Sequence, residues 1–173
     1  MKILSMKTTI FLGAMLSLLV CLMFTGCSNS ETNSTSRGLT DFAHIEEEYL
    51  ATIDSLNWPD GIALPDKLED EDTGASFQVG YGETRASYLW EYSWMKEWLD
   101  TYNTDPERAE KALEELEKAF DMPYMGIDRC DDATRNYLRE NIDKAKLGDP
   151  SGFTESIRAN SVSYTHLTLP TSD

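Results

Sequence analysis

The sequence predicts an all-α fold, a small bundle of four to five helices that follows a leader segment and a flexible tether. Three observations carry that expectation. Between residues 41 and 161 the apolar side chains recur at spacings of three and four rather than two, the period of an amphipathic helix. Short turn signals built on Pro, Gly, Asp and Thr separate these stripes. One stripe is apolar over more than half its circumference, as a helix surrounded by neighbours should be. The chain accordingly divides into 1–26, a leader; 27–40, a tether; 41–161, the helical domain; and 162–173, a tail of foreign composition.

The helices follow in order. Phe42, Ile45, Tyr49, Leu50, Ile53 and Leu56 draw one stripe on a helix over 41–57, and Trp58-Pro59-Asp60-Gly61 ends it. Residues 62–82 hold prolines, glycines and the acidic run Glu69-Asp70-Glu71-Asp72. They read as a long ordered loop with an extended piece at 77–81. The run invites calcium, but an EF-hand loop needs Gly at its sixth position and a bidentate Glu at its twelfth. Placing Gly74 sixth puts Gly80 twelfth, so the bidentate ligand is missing and the run reads as solvated. Thr84 is the expected cap of a second helix over 84–102, and Thr104-Asp105-Pro106 restarts the chain with Pro at a first helical position.

The third helix buries Ala109, Ala112, Leu113, Leu116, Ala119 and Phe120 and turns Glu110, Lys111, Glu114, Glu117 and Lys118 to solvent. Asp131-Asp132 opens a fourth, with Tyr137, Leu138, Ile142 and Ala145 inside and Gly148 as its stop. Asp149-Pro150 starts a fifth, with Phe153 and Ile157 inside.

The second helix is the unusual one. Residues 88–99, YLWEYSWMKEWL, contain three of the four tryptophans. On a wheel of about 100° per residue, Trp90 and Trp98 lie about 40° to either side of Trp94, and Tyr102, Met95, Tyr88, Leu99 and Tyr92 widen the arc past a half-circle. Glu91 falls inside that arc, near 60°, between Trp98 and Tyr102. An unpaired carboxylate there would be costly, so it must gain a partner or a proton. A tyrosine hydroxyl or Arg129 would make it a satisfied core group. Alternatively Glu91, Trp94, Trp98 and Tyr88 form a candidate pocket, because aromatic rings around a perturbed carboxylate suit sugar and cation sites.

Other catalytic signals are thin. His44 is the one histidine before the tail and sits beside Glu46, Glu47 and Glu48 at the wet start of the first helix, so no Ser/His/Asp or Cys/His set can be assembled. Gly80-Tyr81-Gly82-Glu83-Thr84 lacks the further Gly and Lys of a phosphate loop and reads as a turn and a cap. No metal site and no cofactor are called for. The chain carries 31 acidic against 15 basic residues, net charge −16. It lacks the basic footprint that nucleic acid requires, so nucleic acid is excluded as a partner. Cys21 lies in the apolar leader and Cys27 at its end, so Cys130 is the single cysteine of the folded part. It is either a small buried hydrophobe or a thiol whose partner lies beyond this sequence.

The leader has basic residues Lys2 and Lys7, then an apolar stretch over 10–24, the n-region and h-region of a signal peptide. The residues Phe24-Thr25-Gly26-Cys27 resemble the lipobox of bacterial lipoproteins, with Phe24 where that family has an aliphatic residue. The resemblance implies that the Cys27 sulfur is diacylated, that Cys27 becomes the mature N-terminus and that the chain is anchored in a membrane. Each buried acyl methylene contributes about 0.8 kcal/mol, so two or three chains give a firm anchor. Ser28, rather than Asp, after the cysteine implies outer-membrane sorting in a two-membrane bacterium and the outer face of the plasma membrane otherwise. Residues 28–40 include one large apolar side chain, Leu39, too little to fold. As a flexible tether they would hold the domain about 20 Å off the lipid.

The tail residues Val162-Ser163-Tyr164-Thr165-His166-Leu167-Thr168-Leu169-Pro170-Thr171 resemble the translation of a transposase sequencing adapter. The resemblance implies that the native sequence stops being represented at about Ser161. Taken together, the expected function is a surface-tethered, non-catalytic binding or structural module with a protein or glycan partner in the cell envelope. The alternatives are a lipid-anchored enzyme acting on cell-wall glycan with Glu91 as its acid, and a small inhibitor or immunity-type lipoprotein that meets a basic partner through its acidic helices.

Overall fold

The computed structural model describes residues 38–69 and 71–160. The leader, Cys21, Cys27, the tether up to residue 37 and the tail with His166 lie outside the described residues. Within them the fold is the expected all-α bundle of five helices: α1 (Phe42–Ser55), α2 (Tyr81–Thr101), α3 (Pro106–Glu117), α4 (Asp132–Lys146) and α5 (Ser151–Asn160). Two 3-10 turns, Lys118–Asp121 and Pro123–Met125, join α3 to α4, so Phe120 lies beyond the regular end of α3. A minor antiparallel pair, β1 (Leu39–Thr40) with β2 (Phe77–Gln78), matches Leu39 to Gln78 and Thr40 to Phe77.

That pair corrects two expectations. The end of the tether is built into the domain at β1, and the extended piece stops at Gln78 because Tyr81 already belongs to α2. Helix α2 starts three residues before Thr84, whose hydroxyl instead donates to the Gly80 carbonyl at 2.9 Å. Gly80 occupies the cap position with φ of 87°, a left-handed conformation that suits a residue without Cβ. Two residues on, a Cβ at Gly82 would stand 1.8 Å from the Ile45 carbonyl oxygen. The glycine therefore lets α1 and α2 approach closely.

Helix α2 is the hub, packed against α1 on one side and α3 and α5 on others. One core cluster gathers Trp90, Trp94 and Trp98 with Leu116, Leu138, Ile142 and Phe153, while a second gathers Ile45, Tyr49, Ile53, Leu68, Ala86 and Leu89. Both the Trp90 and Trp94 indole N–H groups donate to the Asn57 carbonyl, at 2.7 and 3.1 Å. Buried indole nitrogens need such acceptors. Asp105 caps α3 through Arg108 N, and Arg108 returns two hydrogen bonds to Glu97 at 2.7 and 2.9 Å. This bidentate pairing of guanidinium with carboxylate ties α3 to α2. Asp131 caps α4 through Thr134 N. In α4, Leu138, Ile142 and Ala145 are buried as expected, but Tyr137 is turned outward.

Candidate functional site

Glu91 projects from the middle of α2, and its Oε2 accepts a hydrogen bond from the Tyr124 hydroxyl at 2.8 Å. Tyr124 is itself buried, held by the 3-10 turn Pro123–Met125, and its ring meets Tyr88 edge-on at 5.6 Å. Of the two partners expected for a satisfied core carboxylate, the tyrosine is the one present. Arg129 lies elsewhere, paired with Glu83 at 2.6 Å. Burial pushes the Glu91 carboxyl up to about 7, while the Tyr124 hydrogen bond works in the opposite direction. Burial, followed by the charge of Glu91, also raises the Tyr88 and Tyr124 hydroxyls.

Glu91 is not sealed in. It lines a cavity of about 650 Å³ between α2, the loop 63–69, the start of α4 and the end of α5. Among the described residues five tyrosines line it: Tyr49 from α1, Tyr81, Tyr88 and Tyr92 from α2, and Tyr137 from α4. Tyr88 and Tyr137 are 39% and 43% exposed, and Leu64 on the facing loop is similarly open. A volume of that order is typical of sites for small molecules.

The candidate pocket of the sequence reading is therefore split. Glu91 and Tyr88 come together at the cavity, whereas Trp94 and Trp98 are 1% and 2% exposed and belong to the tryptophan cluster. Trp98 stacks on Tyr102 at 4.6 Å and meets Phe153 edge-on at 5.4 Å. It also borders a second hollow between α3 and the end of α4. Periodicity does not single out Tyr137 or residues 63–69 for the site, since they come from elements far from α2 in the chain, and Arg85, though in α2, joins it only through the facing loop.

Glu48 was likewise missed. Its two carboxylate oxygens accept from Gly80 N at 2.7 Å and Gly82 N at 3.1 Å, so α1 supplies the cap of α2. A signal for it was present: a helix opening on Gly-Tyr-Gly has no capping side chain of its own, and its first N–H groups need acceptors from elsewhere. His44 is exposed, as expected, with Nε2 3.3 Å from Glu48.

The acidic run is engaged locally. Glu69 pairs with Lys67 at 2.9 Å, and Glu71 accepts from the Tyr81 hydroxyl at 2.7 Å and lies 3.4 Å from Arg85 Nε. Among the described residues no three His, Cys, Asp or Glu side chains converge as metal ligands, and no helix is long and apolar enough to cross a membrane. Cys130 is buried and free, with Sγ 3.5 Å from Met125 Sδ, and burial pushes its thiol up. Compared with known protein families, curated proteins and solved structures, the chain matches none.

Proposed function

We propose that this chain is a lipid-anchored envelope protein whose helical domain is a non-catalytic binding module, with the tyrosine-lined cavity as its binding site. The observation that carries the reading is the cavity itself. Tyr88 and Tyr137 are partly exposed beside a partly buried carboxylate, the combination of aromatic walls and a convergent polar group that small-molecule sites use. The lipobox resemblance supplies the address, the outer face of a membrane, and therefore an envelope molecule as the ligand.

A second reading has one observation in its favour. A carboxyl held up at about 7 suits a general acid, so a lipid-anchored glycan hydrolase would use Glu91. Such an enzyme also needs a second carboxylate about 5–10 Å away, for which Asp66 and Glu69 of the cavity wall are the candidates.

A thermal-shift screen of the purified protein against muropeptides, N-acetylglucosamine oligomers, amines and choline tests both. At least one compound should raise the melting temperature, and Tyr137→Ser should remove that effect. If every effective compound works equally well on the variant, the cavity is not the site. Release of reducing ends from a glycan, lost in Glu91→Gln, would move the assignment to the hydrolase.

A further inference from the structure

The charges around the tyrosine-lined cavity are unevenly matched. The two cations that line it among the described residues already have partners: Arg85 stands 3.4 Å from Glu71, and Lys67 stands 2.9 Å from Glu69. An anionic ligand would have to displace one of these glutamates. Glu91 is different. Its Oε2 is held by the Tyr124 hydroxyl, and among the described residues no cation stands within ion-pair distance of it, Arg129 having gone to Glu83. A carboxylate among aromatic rings has lost hydration without gaining a counter-charge. A neutral ligand would leave that deficit in place; a cation would relieve it.

The walls select among cations. Tyrosine faces attract organic ammonium groups through the ring quadrupole, whereas a small metal ion would want several converging oxygen ligands, and Asp66, Glu69 and Glu91 of the wall do not converge as a ligand set among the described residues. Tyr88 and Tyr92 from α2 and Tyr137 from α4 line the same cavity as Glu91. The net charge of −16 draws cations toward the domain at long range.

We infer that the cavity takes a small organic ammonium group, primary or quaternary, on an otherwise uncharged ligand, with Glu91 as its counter-ion and Tyr88, Tyr92 and Tyr137 as its walls. Burial pushes the Glu91 carboxyl up, opposed by the Tyr124 hydrogen bond; a bound ammonium would push it back down. The inference rests on the cavity being the binding site and adds the class of ligand.

Titration calorimetry on the full chain in detergent micelles, at matched chloride concentration, tests it. Choline chloride and ethanolamine hydrochloride are the probes, and the N-acetylglucosamine trisaccharide is the neutral control. At least one ammonium probe should bind saturably, tenfold or more weakly in both Glu91→Gln and Tyr137→Ser. The Tyr137 ring is 43% exposed, so its variant keeps the test available if Glu91→Gln fails to fold. Ammonium binding that is absent, or unchanged in the folded variants, overturns the inference. Trisaccharide binding that Tyr137→Ser removes, without ammonium binding, overturns the ligand class and leaves the cavity as a binding site. Silence from all three probes overturns the inference, and the thermal-shift screen then decides separately on the cavity.

Discussion

Helix α2 carries aromatic residues on two faces, and the bundle treats them in opposite ways. On one, Trp90, Trp94 and Trp98 are 1–2% exposed, and a single backbone carbonyl, Asn57 O, accepts from two of the indoles. On the other, Tyr88 and Tyr92 border a cavity. The chemistry of the rings accounts for the difference. An indole has one donor and, once that is satisfied, is an apolar plate that packs anywhere. A phenol hydroxyl donates and accepts, and sealing it requires a matching polar group, as Tyr124 finds in Glu91. Aromatic content therefore does not by itself separate core from site; the polar atom on the ring does.

This contrast can be broken by measurement, and the largest expected effect is on the tryptophan face. Trp94→Ala should lower the unfolding free energy by about 3–5 kcal/mol, the range for large aromatic truncations in cores, as read by denaturant titration. A loss below about 1 kcal/mol would mean that the face is not the sealed core described.

Glu91, at the border of the two faces, comes next. Its folded carboxyl is raised from 4.5 to about 7. Between those values the folded state binds the proton more readily than the unfolded one, so the contribution of Glu91 to stability is greatest at low pH and is lost as pH rises through about 7. Tyr88, Tyr124 and Cys130 interact with its charge, and all three have ordinary values well above this window. Glu91→Gln removes the titration. The parent should lose about 1–3 kcal/mol more than the variant between pH 4.5 and pH 8, and parallel pH profiles would show that the carboxylate is not held among the rings.

On the open face the expected cost is small. Tyr137→Ser should change stability by no more than about 0.5 kcal/mol, as for surface substitutions generally, while affecting ligand binding. A cost near that of Trp94→Ala would erase the distinction between the faces. Cys27→Ala should leave the denaturation curve unchanged and abolish incorporation of labelled fatty acid in a bacterial host. Retained label would remove the lipid anchor from the proposed function.

Periodicity was enough to read five helices and most of their buried residues, because a helix buries its own stripe and the stripe is local. The starts of α3 and α4 were legible from the local signals Thr104-Asp105-Pro106 and Asp131-Asp132, where Asp105 and Asp131 prove to be the caps. Three features were not. The start of α2 lies at Tyr81 rather than Thr84 because its cap comes from another helix. Tyr137 fits the stripe of α4 on a wheel, yet faces a cavity that exists only once α2, α4, α5 and the loop 63–69 have met. The wheel placed Glu91 among Trp98 and Tyr102 but could not decide between a tyrosine hydroxyl and Arg129 as its partner or say which tyrosine, since that depends on how the turn at Pro123–Met125 folds back.

The cap that Glu48 provides to Gly80 and Gly82 has a consequence for the order in which the molecule assembles. A helix capped by its own sequence can close its first turn alone, but this one waits for a carboxylate more than thirty residues upstream. Bringing the two together means closing the intervening loop, an entropic cost that comes before its reward. The first turn of α2 should therefore form late, after α1 has docked, whereas the end of α2 beside the tryptophans forms early. Pulsed hydrogen exchange during refolding would show the Gly80 and Gly82 amides gaining protection after that of Trp98; simultaneous protection would mean that α2 nucleates as one piece without its borrowed cap.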